Sequence, residues 1–188
     1  MAEDSTTKQF DMVDLRFTAP SLQLPDAASA AEQVLSKALE FCAQKMHFDS
    51  HQTVVSRLRQ GDRDACSYCY YSVAKQVGEY LGAWDENVKA VYICDYDATP
   101  EDLCFAETVQ SPPIHMIIRV DRKTSALNSL VAALDRALVQ KYVSLTAMSQ
   151  MAYFLDAQVV DDTDVEKRIG YGTMLSSMHH RPIQVWGR

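Results

Sequence analysis

The stretch that most constrains this chain stands behind Asp26, where Ala31, Val34, Leu35, Ala38, Leu39, Cys42 and Met46 recur three and four residues apart. That spacing winds all of them onto one stripe of a 3.6-residue helix, and Asp26 occupies the place where a carboxylate accepts the N–H groups of a first turn. The pattern predicts a helix over 27–48. A helix of that length with one apolar stripe is stable only when the stripe is covered, so the chain must build a core with helices layered against it.

Val54, Val55 and Leu58 keep helical spacing over 51–60 and stop at Gly61, a residue suited to the left-handed turn at a helix end. Asp62 or Asp64 caps a third run over 65–81, rich in Tyr, Val and Ala and closed by Gly82. From Asn87 the pattern changes. Val88, Ala90, Val91, Tyr92 and Ile93 form a short apolar run enriched in β-branched and aromatic residues, which predicts a buried strand. Thr99 and Pro100 open an acidic connection, Ser111, Pro112 and Pro113 punctuate it, and 114–120 is the second strand.

Thr124 or Ser125 caps a helix whose Leu127, Leu130, Val131, Leu134, Leu138 and Val139 share a face as far as Lys141. A third strand over 153–160 ends in Asp161, Asp162 and Asp164, which favour the start of a helix over 165–178, broken near Gly170 and Gly172. Residues 182–186 form a terminal strand, and Pro182 marks an edge or a strand start. Residues 1–25, interrupted by Pro20 and Pro25, read as a tail or arm. The fold expected is therefore α+β: a mixed, mostly antiparallel sheet of about four strands with helices packed on one face. A three-helix layer over 26–84 precedes the body over 85–188 and shares one continuous core with it.

With 188 residues, 47% of them hydrophobic and 23% charged, the chain has the material for such a core. Its net charge of -7, with Lys and Arg scattered, argues against a nucleic-acid partner. No run approaches the roughly 18 apolar residues of a membrane span, and Met1 to Phe10 are polar and acidic. Five cysteines are an odd set in a chain of a size that needs no disulfide staples, so reduced thiols and a cytoplasmic setting are expected. A homo-oligomer is compatible with everything in the pattern.

Three groups of residues could carry chemistry. Cys66 and Cys69, spaced to put both sulfurs on one helical face, could hold a metal or exchange a disulfide, but Cys42, Cys94, Cys104, His47, His51, His115, His179 and His180 supply no second pair at zinc spacing. Two thiols packed between helices fit as well. Asp95 and Asp97 follow the first strand and emerge on one face of extended chain; with Asp121 at the end of the second strand they form a candidate Mg²⁺ site, or else ordinary strand-terminating turns. Tyr68, Tyr70, Tyr71 and Tyr80, with Trp84 just beyond, could line a ligand pocket or a partner surface, or could be the two-sided packing of a buried helix.

From Val88 to Trp186 the order of elements, two strands, a helix, a strand carrying Asp156, a helix and a short closing strand, resembles the minimal nucleotidyltransferase domain. An active member of that family would use Mg²⁺ with a nucleotide, which stands here as the alternative to no cofactor. That family's Gly-Ser turn and aspartate pair are not matched: the turn after Ile93 reads Cys94-Asp95-Tyr96-Asp97, and the next strand, with His115, Met116 and Arg119, has no carboxylate. A frame shifted to Leu81-Gly82-Ala83 would make 65–81 a strand, against its spacing. The resemblance thus implies a fold kept and a metal lost. A non-catalytic domain that binds a protein partner or a small ligand is the function expected. Its alternatives are an active Mg²⁺-dependent nucleotidyltransferase using Asp95, Asp97 and Asp121, and a metal or redox protein acting through Cys66 and Cys69.

Overall fold

The computed structural model describes residues 26–94, 113–147, 151–177 and 182–188. Helix α1 (Ala27–Met46) begins where the Asp26 carboxylate accepts the Ala28 N–H at 3.0 Å, and ends at His47, whose φ of 54° turns the chain out of the helix. Its buried stripe runs through Ala31, Val34, Leu35, Ala38, Leu39 and Cys42, with Met46 half-buried at the end. Helix α2 (His51–Arg59) is capped by Ser50, and Gly61 leads away from it at φ 68°, a conformation that a Cβ would strain. Helix α3 (Arg63–Trp84) starts from Asp62, which accepts the Ala65 N–H at 3.0 Å.

Helix α3 runs past Gly82, where the sequence pattern placed its end, and packing is the reason. Gly78 and Gly82 lie one turn apart on the side that faces Trp186 near the C-terminus. A Cβ at Gly78 would stand 2.7 Å from the Trp186 Cβ, and one at Gly82 would stand 2.1 Å from the indole ring. The absent side chains are the seat of the tryptophan.

Strands β1 (Val88–Ile93), β2 (Ile114–Val120), β3 (Leu155–Val160) and β4 (Ile183–Gly187) form one sheet in the order β3-β2-β1-β4. β1 is antiparallel to both its neighbours, whereas β2 and β3 are parallel and are joined through helix α4 (Ser125–Thr146). The sheet is thus mixed and mostly antiparallel, as the order of elements required. β4 lies at an edge and is entered through Pro182, whose missing N–H costs nothing there. Thr124 caps α4 by accepting from Leu127, and the helix continues past Lys141 to Thr146, where Arg59 of α2 donates to the Leu145 carbonyl at 2.8 Å. β3 starts later than the apolar pattern implied, because Asp135 of α4 accepts both the Phe154 and the Leu155 N–H at 2.8 Å and fixes the point of entry.

The long helices cover one face of the sheet. α3 lies on β1, β2 and β4, α4 lies against β3, and α1 packs chiefly on α3 and α4 as a further layer. Buried residues from all of these form one continuous cluster. Phe154 sits at the centre of an aromatic group within it, 4.7 Å from Tyr142 and 5.8 Å from Tyr70 between ring centroids. Among the described residues no helix is long and apolar enough to cross a membrane.

The opposite face carries two short helices, α5 (Asp162–Lys167) and α6 (Gly172–Leu175), in place of the single interrupted helix expected over 165–178. Asp161 caps α5 in a reciprocal pair with Asp164, which starts the helix earlier than its first apolar residue, and Arg168 and Gly170 then take positive φ and separate the two pieces. Tyr171, Met174 and Leu175, with Tyr92 from the sheet, pack there on a small cluster of Cys94, Ile117 and Val160.

Candidate functional site

Alternation along β2 sends Ile114, Met116, Ile118 and Val120 into the main core and leaves His115, Ile117 and Arg119 on the second face. The neighbouring strands add to that face in register. Asp156 and Gln158 of β3 stand beside His115 and Ile117, and Tyr92 of β1 stands opposite Ile117. Five polar or aromatic groups are thereby gathered around one buried isoleucine.

At one end of this face His115, Asp156 and Tyr171 form a hydrogen-bonded group. The His115 Nδ1 lies 2.7 Å from Asp156 Oδ2, and the Tyr171 hydroxyl donates to the same oxygen at 2.5 Å while standing 3.4 Å from the ring nitrogen. An ionised carboxylate only accepts, so Nδ1 carries the proton on that bond and Nε2 remains for another partner. The Tyr171 backbone N–H donates to Gln158 Oε1, also at 2.5 Å, so β3 holds this residue through both its main chain and its side chain.

Arg119 stands at the other end, about 13 Å along the strand from His115 at about 3.3 Å per residue. Its Nε and a terminal nitrogen donate to a single oxygen, Oδ1 of Asp162, at 3.1 and 2.7 Å. That bond is the largest reason why the guanidinium pKa is raised; partial burial opposes it, and the Asp162 charge and the Tyr92 phenol reinforce it. Beyond the end of the strand, Lys123 pairs with Asp164, whose residue is 7% exposed. Burial by itself would raise the Asp164 carboxyl, but the Lys123 bond, the Asp161 N–H and the lysine charge together hold it below the ordinary value.

Between Arg119 and the short helices lies an open cleft of about 400 Å³ lined by Tyr92, Arg119, Val165, Leu175, Ser176, Ser177 and Pro182. Its walls are apolar on Tyr92, Val165, Leu175 and Pro182 and polar on Arg119 and the two serines. A small molecule with a flat apolar body and one hydrogen-bonding or charged group matches such a lining.

The residues singled out from sequence fall elsewhere. Tyr68 and Tyr71 surround Phe41 of α1 at centroid distances of 6.3 and 6.0 Å, Tyr70 faces Phe154, and Tyr80 and Trp84 are half-buried against the main core. The Tyr80 hydroxyl is buried with no hydrogen-bond partner among the described residues, and burial first, then the Asp26 charge, raises its pKa. Helix α3 therefore points these rings into separate contacts. None of them lines the cleft at Arg119.

Asp95 and Asp97 lie outside the described residues, as do Cys104, His179 and His180. Asp121 pairs with Lys89 at 2.8 Å, and Cys94, bonded through its N–H to the His115 carbonyl, lies at the opposite end of β1 from Asp121. Cys66 and Cys69 meet Cys42 where α1 crosses α3. Burial, aided by the charge of Asp62, pushes the Cys66 thiol up to about 11, and Cys69, held first by a bond to Cys42 and then by burial, is raised as well. Among the described residues no group of three His, Cys, Asp or Glu side chains is placed to hold a metal ion.

Arg119, Tyr92 and Tyr171 were not singled out by sequence reasoning. The signal for Arg119 was the period of two within 114–120, which puts it on one face with His115. Tyr171 offered none, since its place depends on the turn at Gly170. Comparison with protein-family models, with curated proteins and with solved structures finds no match to this chain.

Proposed function

We propose that this protein is a non-catalytic α+β domain that binds a small molecule in the cleft between Arg119 and the short helices α5 and α6. The observation that carries the reading is the lining itself: an open cavity of about 400 Å³ in which apolar walls converge on one guanidinium. The body is read as a nucleotidyltransferase-like fold that has lost its metal. Support comes from the antiparallel β1 and β2 followed by the α4 crossover to a parallel β3, and from a β2 that carries Arg119 and His115 and no carboxylate. The thiols of Cys42, Cys66, Cys69 and Cys94, none of them in a disulfide, fit a reducing compartment such as the cytoplasm.

An active nucleotidyltransferase needs Asp121 to share a metal with Asp95 and Asp97, and its pairing with Lys89 at the far end of β1 from Cys94 speaks against that. A redox role for Cys66 and Cys69 needs a thiolate, which burial disfavours. The test has two arms. A fragment library screened by two-dimensional NMR on the full chain is expected to move resonances of Tyr92, Arg119, Leu175 and Ser176 together. Incubation with each labelled nucleoside triphosphate and Mg²⁺ is expected to give no transfer. Transfer that an Asp95→Asn, Asp97→Asn double variant abolishes would replace this reading with the active enzyme.

A further inference from the structure

We infer that the ligand of this cleft is a monoanionic carboxylate on a flat apolar body, and that Asp162 occupies its place at Arg119 until it arrives. The inference rests on the cleft being the binding site and goes on to name the chemistry it takes. Its ground is the geometry of the Arg119–Asp162 contact.

A carboxylate held well by arginine meets it in a fork, two nitrogens against two oxygens. Here Nε and the terminal nitrogen both converge on Oδ1 of Asp162. The side chains are 43% and 66% exposed, so the contact is one that solvent screens and that contributes roughly 0–1 kcal/mol. An incoming carboxylate can present both oxygens to the same guanidinium at the mouth of the cleft, with its apolar body against Tyr92, Val165 and Leu175. Displacing Asp162 costs little, because its carboxylate returns to water.

The charges around Arg119 decide between one negative charge and two. Asp161, Asp162 and Asp164 stand at the start of α5, and Lys123 is already engaged with Asp164. A dianionic phosphate would bring two negative charges to that acidic helix start, where the displaced Asp162 carboxylate also remains, whereas a carboxylate brings one, which the single guanidinium matches.

The experiment is NMR titration of the full chain with benzoate, phenyl phosphate and neutral benzamide, in the parent and in Asp162→Asn and Arg119→Gln variants. Benzoate is expected to bind at the cleft more tightly than benzamide, and Asp162→Asn is expected to tighten benzoate about three- to fivefold without affecting benzamide. Arg119→Gln is expected to bring benzoate down to the level of benzamide. Because the Asp162 variant gains affinity, a folding defect does not mimic the result. Benzoate that binds no better than benzamide, or is weakened by Asp162→Asn, overturns the inference while leaving the cleft as a binding site. Phenyl phosphate binding more tightly than benzoate overturns the monoanion. If none of the three probes moves the cleft resonances in any protein while the fragment library does, the inference fails and the binding function stands; if the library moves none either, the binding function fails with it.

Discussion

Trp186 of β4 sits against α3 so closely that Gly78 has no room for a side chain, a Cβ there falling 2.7 Å from the tryptophan Cβ. The clash is with an atom fixed to the strand backbone, so no rotation of the indole relieves it. Gly78→Ala gains roughly 1 kcal/mol of helix propensity and incurs roughly 1–3 kcal/mol of overpacking, for a net loss of up to about 2 kcal/mol. Urea denaturation measures it. A variant more stable than the parent would show that α3 and β4 are further apart than described.

The stripe of α1 makes a second prediction. Leu39 is 8% exposed within the main core, and Leu39→Asp would bury a charge with no partner, at a cost of several kcal/mol. Loss of the cooperative thermal transition near the parent midpoint is the expected outcome. An unchanged midpoint would mean that α1 is not packed on α3 and α4.

Asp135 ties α4 to the start of β3 through two N–H groups, those of Phe154 and Leu155, in residues that are 1% and 5% exposed. Asp135→Ala leaves both donors buried and is expected to cost about 2–6 kcal/mol, at about 1–3 kcal/mol for each orphaned group. Asp135→Asn keeps a side-chain oxygen and should cost markedly less. Equal losses in the two variants would remove the bonds from the explanation.

The thiols predict an alkaline limit. The folded state raises Cys66 from the ordinary 9.0 to about 11, so its contribution to stability is complete below about pH 9 and is lost as pH rises through about 11. Over that window this thiol removes at most about 1.4 kcal/mol per pH unit. At pH 8 iodoacetamide should label Cys66 and Cys69 much more slowly in the native protein than in urea. Fast native labelling would show accessible thiolates and revive the redox reading.

Much of the fold was legible because its signals are local. Asp26, Asp62 and Thr124 each cap the helix that follows, and β1 and β2 begin and end where the apolar runs do. What escaped depends on contacts between distant residues. Gly82 read as a helix stop since nothing nearby in sequence announces Trp186, and the start of β3 is set by Asp135, a whole helix away. The cleft was hidden for the same reason: Arg119 is one residue of a strand, Leu175 belongs to a single turn of helix, and only the fold puts them on one cavity. Tyrosine density on α3 was a poor guide, because rings packed between helix layers leave the same pattern in the sequence as rings around a ligand.

Among the described residues the two faces of the sheet differ greatly in how much they bury, the second centring on Cys94, Ile117 and Val160 with Tyr92, Tyr171, Met174 and Leu175 packed around them. Cooperative folding is thus decided on the side of α1, α3 and α4, and the short helices are free to drift in sequence with little penalty to the scaffold beneath them. On the proposed function, recognition and foldability fall on opposite surfaces of the same four strands, so a lineage carrying this fold could change its ligand while its melting behaviour stays nearly constant.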